Sequence, residues 1–333
     1  MPNADFRSGV RWMYVCDVLS MGHWKSAIGN LVVLTMTSQP ANRSGISFVV
    51  PRLRDPRIMN SLAVTLWVML GRSVYYFNRD PVDMIAAIGA ACVLDFVLML
   101  VVLRQVALPL SAYLTGISIV ILVESTDWRV YVVASVWGVL SKYLLRDSKR
   151  HFFNPSNFGI VMMLLLGHGV ASVAPGSQWG ADYRVAFIIM FLGLTMMYRI
   201  NRMDLALSWL GGYVVMGLLR MALGQGGLVF ALGPMTGAEF ALFTFVMMPD
   251  PKASPPTREG RIGWGISIAV LDGVLRYFEI RYSMFFALFA HTAILPLMHW
   301  AAARSGIHEA DPWKLLVFSI RGRQSAMAAE SSS

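Results

Sequence analysis

The sequence is poor in cysteine and in charge. It has two cysteines, Cys16 and Cys92, in 333 residues, which excludes a disulfide framework, and no Cys/His spacing fits a zinc or iron–sulfur site. We therefore expect no metal site, and any redox centre must be organic or borrowed from a partner. Charged residues make up 14% of the chain, against 56% hydrophobic residues, and the mean hydropathy is +0.57. Soluble single-core domains rarely reach such values, so the composition predicts an integral membrane protein.

Ten apolar stretches fill the chain between residues 60 and 303. A bilayer core of about 30 Å needs about 20 helical residues, and each stretch reaches or nearly reaches that length. The stretches are 60–77, 82–103, 106–123, 128–145, 155–173, 185–200, 205–223, 228–248, 262–277 and 284–303. They predict an all-α integral membrane protein with about ten transmembrane helices in a domain at 59–303. A basic cytoplasmic or interfacial arm (1–58) precedes this domain, and a polar cytoplasmic tail (304–333) follows it.

The basic residues predict the orientation of these helices. With ten crossings, roughly three quarters of the 28 Lys and Arg residues fall on the side that carries both termini. Positive charge accumulates on the cytoplasmic side, so we expect both termini in the cytoplasm. The net charge of +9 then reflects orientation in a lipid bilayer, and we expect no nucleic-acid partner. The basic start is not followed by a long apolar core, so we expect no cleaved signal peptide.

A polar junction links the fourth and fifth stretches. Asn154 has the side chain of a helix N-cap, and Pro155 suits the first helical position, so the fifth helix is expected to start there. Its free amide groups would point back at a loop that carries Lys142 and Arg150, an arrangement that attracts a phosphate or another anion. The alternative is a capped helix flanked by charges that only set topology.

The eighth stretch carries a Gly-Pro-Met-Thr-Gly-Ala-Glu sequence that ends at Glu239. Gly233 and Pro234 predict a broken or kinked helix, and irregular backbone at membrane depth is tolerated where it is buried in protein or lines a cavity. Glu239 is an ionisable group in this apolar zone, which makes it a candidate for function. The alternative is a structural Glu239 that is satisfied by Thr236 or by a neighbouring helix.

Two further groups of polar residues lie near the ends of the last helices. Asp250 and Pro251 predict an ordered turn in which the Asp250 side chain caps backbone amides. Asp272 and Arg276 lie one helical turn apart and are expected to form a structural ion pair, although nearby Glu279 leaves a relay open.

Several of these motifs occur in the order and approximate spacing found in a known family. They are the segment from Lys142 to Asn154-Pro155, Leu114-Thr115-Gly116, Thr236-Gly237-Ala238, and Asp250-Pro251 followed by Gly260-Arg261 and Arg276. The chain resembles the NqrB/RnfD family, the membrane subunits of the sodium-pumping quinone reductase and of the Rnf ferredoxin:NAD oxidoreductase. The resemblance implies two inverted five-helix repeats in a urea-transporter-like fold, a flavin, and electron transport alongside ion movement. It also implies the bacterial inner membrane and partner redox subunits in the membrane or periplasm.

The chain departs from the covalently flavinylated members of that family. They attach FMN to the Thr of an S-x-A-T element in a long loop after the fifth helix, and the short loop 174–183 contains no Thr. We therefore expect a noncovalent flavin, FMN or riboflavin, and place the chain with the outlying, UnbU-like branch. Glu239 and Pro249 also replace threonines of the family pattern. The resemblance implies cofactor-binding residues at Thr115, Lys142, Arg150, Asn154, Asn157, Thr236, Glu239 and Asp250.

Two classes of function remain open at this point. In the first, the chain is an electron-transfer subunit whose flavin lies near Asn154, Lys142 and Arg150. In the second, it is a channel or transporter for a small molecule, with Glu239, Thr236 and Thr115 lining a path at the broken helix. A membrane anchor that holds a partner complex through its basic arm is a third alternative.

Overall fold

A computed structural model describes residues 47–49, 56–74, 79–147, 150–167, 169, 171–173, 183–250 and 252–304. Most of the predicted arm, the tail after residue 304 and the short loop at 174–182 lie outside these residues. The described chain is 77% helical, so the helical fold class is confirmed.

The first half of the described chain contains five helices and six short strands. The helices are α1 (Pro56–Val74), α2 (Pro81–Leu103), α3 (Leu110–Leu122), α4 (Trp128–Leu144) and α5 (Pro155–Leu166). Strand β1 (Ser47–Val49) pairs in parallel with β2 (Gln105–Ala107). Two antiparallel pairs join β3 (Val123–Glu124) to β6 (Ser172–Val173) and β4 (Arg146–Asp147) to β5 (Arg150–His151).

The second half contains four long helices and one interrupted helical segment. The long helices are α6 (Tyr183–Arg199), α7 (Met203–Ala222), α10 (Arg258–Tyr277) and α11 (Ser283–Arg304). The interrupted segment runs through α8 (Leu228–Leu232), a 3₁₀ turn (Gly233–Thr236), α9 (Ala238–Leu242) and a π-helical turn (Phe243–Met247). The two arms of this segment meet at 65°, which confirms the break predicted from Gly233 and Pro234.

Helices lie at each of the ten predicted stretches, but their lengths differ. Among the described residues, α2 and α7 are long and apolar enough to cross a membrane, and the bent segment makes a third if it counts as one span. Two predicted stretches are shorter as helices. Residues 105–107 pair with β1, so α3 starts only after Pro109, while α5 ends at Leu166 and the chain reverses into β6.

Local sequence sets where the helices start. Asn154 Oδ1 accepts a hydrogen bond from Asn157 N at 3.1 Å, which confirms the predicted start of α5 with Pro155 in its first turn. Asp80 caps α2 and Asp127 caps α4 in the same manner, through Val82 N and Arg129 N. These caps satisfy amide groups that would otherwise lack a partner at the helix starts.

Four helix contacts of the first half have counterparts in the second half. In the first half α2 packs against α3 and α4, α4 against α5, and α1 against α3. In the second half α7 packs against α8 and α10, α10 against α11, and α6 against α9. Between the halves, α3 contacts α9 and α5 contacts α11.

Glycines allow the closest of these approaches. A Cβ on Gly159 would lie 2.3 Å from Ala134 O on α4, and one on Gly265 would lie 2.2 Å from Ser208 Oγ on α7. Close backbone approach through small residues is typical of helices that pack in lipid. Large apolar side chains also cover the outer surface, with Val229, Phe187 and Ile85 more than 70% exposed. An apolar surface of this kind suits contact with lipid rather than water.

Candidate functional site

Two cavities lie near opposite ends of α7. The first, which we call the basic cavity, has a volume of about 540 Å³. The starts of α1, α3 and α5, the end of α6 and the turn after the π-helical segment line it. The second, which we call the mixed-charge cavity, has a volume of about 950 Å³. It is lined by the end of α7, by α8, and by the segment that joins α10 to α11.

Positive side chains dominate the basic cavity. Arg57, Arg199, Arg202 and Lys252 line it, and Asp250 is the carboxylate among its lining residues. Asp250 is already engaged, because its Oδ1 accepts a hydrogen bond from Lys252 N at 3.0 Å. The basic cavity therefore suits an anionic or electron-rich ligand.

The two predicted turns meet in this cavity. His151, just before the Asn154 cap, places Nε2 3.8 Å from Asp250 Oδ2, and its Nδ1 lies 2.8 Å from the carbonyl oxygen of Phe153. Burial lowers the pKa of His151 below its usual value, and the opposing charge of Asp250 only partly offsets this effect. The imidazole thus joins segments about a hundred residues apart without adding a full charge at neutral pH.

The turn after Asp250 is ordered, as its prolines predict. The carbonyl oxygen of Asp250 accepts hydrogen bonds from Ala253 N and from Ser254 N and Oγ, and its side chain caps Lys252 N, which confirms the predicted capping role. Arg202, at the start of α7, donates to Ser254 Oγ at 2.7 Å and to the carbonyl of Pro255. These bonds fix one wall of the basic cavity to α7.

A bidentate ion pair holds the start of α10 nearby. Arg261 donates from Nε and Nη2 to the Asp204 carboxylate at 2.5–2.9 Å, and both side chains are largely buried. This pair joins the first turns of α7 and α10 behind the cavity wall.

Three of the predicted cofactor-binding residues line the basic cavity together: Thr115, Asn154 and Asp250. Thr115 is 2% exposed and its hydroxyl donates to Ser111 O, while Asn154 Oδ1 is occupied as a cap. Asn157 lies behind them, where its Nδ2 donates to Phe285 O on α11 at 3.2 Å. Asn157 is therefore placed to link α5 to α11 rather than to line the cavity.

Lys142 and Arg150 were expected beside the same anion site. The structure instead pairs Lys142 Nζ with Asp95 Oδ1 at 2.7 Å, and Tyr143 Oη donates to the same carboxylate at 2.9 Å. Lys142 is not among the described lining residues of the basic cavity. The backbone of Arg150 pairs with Asp147 between β5 and β4, and its side chain lies outside what the structure describes, so the predicted role of Arg150 stays a prediction. The buried carboxylate of Asp95 on α2 thus neutralises the charge of Lys142. Asp95 lies in an apolar stretch, so the hydropathy of the sequence does not indicate this pairing.

Glu239 lines the mixed-charge cavity, near Arg220 and Arg276. The predicted ion pair is confirmed, because Arg276 Nε lies 3.1 Å from Asp272 Oδ2, and Ser283 Oγ donates to Asp272 Oδ1 at 2.6 Å. Thr236 is exposed, its hydroxyl donates to Gly233 O, and it lines neither cavity. The structure therefore places Thr115, Asn154 and Asp250 in one cavity and Glu239 in the other.

Several lining residues were not predicted as site residues. In the basic cavity they include Arg57, Asn60, Arg199 and Arg202, and in the mixed-charge cavity they include Arg220. In the sequence these arginines indicate only the orientation of the helices in the membrane. Arg199 and Arg202 are nevertheless closely spaced charges that flank the link between α6 and α7. In the part of the chain that the structure describes, no group of three His, Cys, Asp or Glu side chains could hold a metal ion.

Comparison with protein-family models gives no match, and comparison with curated protein sequences gives none either. The residues and geometry of this chain are therefore the basis for its proposed function.

Proposed function

We propose that this chain is the membrane subunit of a flavin-linked electron transport system of the NqrB/RnfD type, with a noncovalent flavin in the basic cavity. The main observation behind this proposal is that Thr115, Asn154 and Asp250 line one cavity. They belong to separate sequence motifs, and each is expected to bind the cofactor. The motifs come from positions far apart in the chain, so this convergence is not a consequence of their sequence spacing.

The residues present fit a flavin. A volume of about 540 Å³ lies in the range of small-molecule sites. Asn60 lines the cavity, and its buried Oδ1 accepts no hydrogen bond from the described residues, which leaves an acceptor for an N–H or hydroxyl donor. Arg199 and Lys252 would hold the phosphate of FMN or the electron-rich ring edge. A bound flavin supplies one- and two-electron transfer, and the chain supplies its position and electrostatic surroundings.

The proposed topology is ten membrane helices in two inverted repeats. Its support is that four helix pairs of the first half, α1 with α3, α2 with α3 and with α4, and α4 with α5, have counterparts five stretches later. Equivalent helices also meet across the halves, α3 with α9 and α5 with α11. Five crossings are an odd number, so a second copy of the same unit enters the membrane in the opposite direction. The positive basic cavity then faces the bacterial cytoplasm together with both termini, where partner subunits would deliver or remove electrons.

Flavin binding by the detergent-purified full chain tests this proposal. We expect riboflavin or FMN to bind saturably, with quenched flavin fluorescence, and Arg199→Gln to weaken binding about tenfold or more. Arg258→Gln is the matched control, because Arg258 is an exposed arginine outside the basic cavity. Absence of saturable binding of either flavin contradicts the proposal, as does equal weakening by the two substitutions.

Transport of a small molecule is the second candidate, and the interrupted segment favours it. Broken helices beside a cavity are the places where inverted-repeat transporters bind their substrates. Here a 65° break leads directly to Glu239 in the mixed-charge cavity. Under this candidate Glu239→Gln abolishes uptake without lowering expression, and unchanged uptake removes Glu239 from the path.

A further inference from the structure

The mixed-charge cavity contains charges of both signs that do not neutralise each other. Arg220 lies at the end of α7, and Glu239 lies at the start of α9. Both line the cavity, yet no ion pair joins them. Charged groups in an apolar setting are costly unless they are paired, so this arrangement needs a physical explanation.

Arg220 is the better buried of the two, with 5% of its surface exposed. Its Nε donates to Gln225 Oε1 at 3.1 Å, and its guanidinium lies over the ring of Phe230 at 5.6 Å. The terminal nitrogens make no hydrogen bond or ion pair with any described residue. Arg220 lines the cavity, and a guanidinium whose terminal nitrogens have no described partner can bind a carboxylate in a bidentate manner.

Glu239 is the acidic counterpart of Arg220 in this cavity. It is partly buried and borders the cavity, and its carboxylate makes no hydrogen bond or ion pair with any described residue. The neighbouring Arg276 acts on Glu239 electrostatically but forms no ion pair with it, because its Nε is directed to Asp272 and Ser283 and its guanidinium lies over the Tyr213 ring at 4.5 Å. Glu239 thus offers a carboxylate to a cationic group that enters the cavity.

We propose that the mixed-charge cavity binds a small zwitterion of the amino-acid class, with its carboxylate on Arg220 and its ammonium group on Glu239. A ligand with both charges compensates both side chains at once, whereas a simple anion leaves Glu239 uncompensated and a simple cation leaves Arg220 uncompensated. The cavity wall also includes Phe230, Met284 and Phe285, which suit an aliphatic side chain. This inference names a substrate class for the transport candidate, but binding at the cavity requires neither transport nor a flavin.

Equilibrium binding to the purified full chain in detergent tests the proposal with matched probes. L-leucine, glycine and γ-aminobutyrate carry both charges, whereas 4-methylpentanoate lacks the ammonium group of leucine and 3-methylbutylamine lacks its carboxylate. We expect at least one zwitterion to bind saturably. If that zwitterion is leucine, we expect each single-charge analogue to bind about tenfold more weakly or worse. No binding of any zwitterion overturns the proposal, and so does 4-methylpentanoate binding as tightly as leucine.

Substitutions then locate the ligand. Arg220→Gln and Glu239→Gln are each expected to weaken binding of the zwitterion by about tenfold to hundredfold, and Arg220→Lys to weaken it less. Glu259→Gln is the matched control, because Glu259 is an exposed carboxylate at the start of α10, is not among the described lining residues of this cavity and should retain full binding. Equal losses for Glu239→Gln and Glu259→Gln contradict the assignment. Unchanged thermal unfolding separates lost binding from lost folding, and because binding is measured in detergent, failure of uptake does not bear on the result.

Discussion

The basic cavity and the mixed-charge cavity lie near opposite ends of α7, a helix of 20 residues that spans roughly 30 Å at a rise of about 1.5 Å per residue. The basic cavity is built on helix starts and an ordered turn, and its carboxylate, Asp250, is tied into that turn. The mixed-charge cavity is built beside a helix break, and Glu239 and Arg220, which both line it, form no ion pair with each other. Positive charge dominates the basic cavity, whereas the mixed-charge cavity presents both signs, so we expect the two cavities to select different ligands.

The largest effect is expected from the ion pair that lies outside both cavities. Lys142→Met leaves the buried carboxylate of Asp95 without its cation and should destabilise the chain by about 3–5 kcal/mol. The double variant that adds Asp95→Asn should recover much of the loss, because no buried charge remains. Thermal unfolding in detergent measures both. If Lys142→Met instead leaves stability unchanged and removes flavin binding, then Lys142 belongs to the basic cavity and its placement outside that cavity is wrong.

Reciprocal substitutions test whether the cavities bind independently. Arg199→Gln should weaken flavin binding about tenfold or more and leave zwitterion binding unchanged, while Arg220→Gln should do the reverse, since each removes charge-assisted hydrogen bonds at one end only. Fluorescence titration with riboflavin and equilibrium binding of L-leucine measure the two sites. Loss of both ligands in either variant would show one connected site.

The helix cap beneath the basic cavity should have a smaller effect. Asn154→Ala removes the α5 cap and should cost about 1 kcal/mol of stability, together with weaker flavin binding. Asp127→Ala removes the cap of α4 and is the control, with a similar cost and unchanged flavin binding. Equal flavin affinity in the two variants would confine Asn154 to a structural role.

The smallest expected effect is a pH dependence at the basic cavity. Burial lowers the pKa of His151 below its usual value of 6.5, so the unfolded chain takes up a proton first as the pH falls. The contribution of neutral His151 to stability is therefore complete above about pH 6.5 and declines below it. Unfolding temperatures across this range should fall less in His151→Gln than in the native chain. An identical pH profile in the two proteins would exclude His151 as the source.

The helical class and the turns were predictable because their signals are local. Asn154-Pro155 encodes a helix start through one side chain and one ring, and Gly233-Pro234 encodes a break through the missing amide hydrogen and its steric conflict. The positions of the described helices follow from apolar runs in the same way. Local patterns did not predict that α3 starts only at Leu110 or that α5 ends at Leu166, because pairing of β2 with β1 and of β6 with β3 sets these ends.

The division of the site into two cavities was not predictable from one sequence. From the sequence, Lys142 is either a charge that sets the membrane topology or a ligand of an anion. Only the helix packing shows that Asp95 of α2 lies beside it. Arg220 also reads as an ordinary arginine at a helix end, and only the packing of α7 against α8 and α10 shows that it is buried. Residue type predicts which chemistry is available, whereas packing decides which charges are neutralised and which remain for a ligand.

Cysteine labelling in intact cells tests most directly whether the two cavities open on opposite sides of the membrane. In a chain with Cys16 and Cys92 replaced by serine, single cysteines are placed at Phe152 and Pro256 beside the basic cavity and at Glu279 beside the mixed-charge cavity. An impermeant maleimide should label Glu279→Cys from outside, and should label Phe152→Cys and Pro256→Cys only after the membrane is permeabilised. Labelling of Pro256→Cys and Glu279→Cys from the same side would contradict the account.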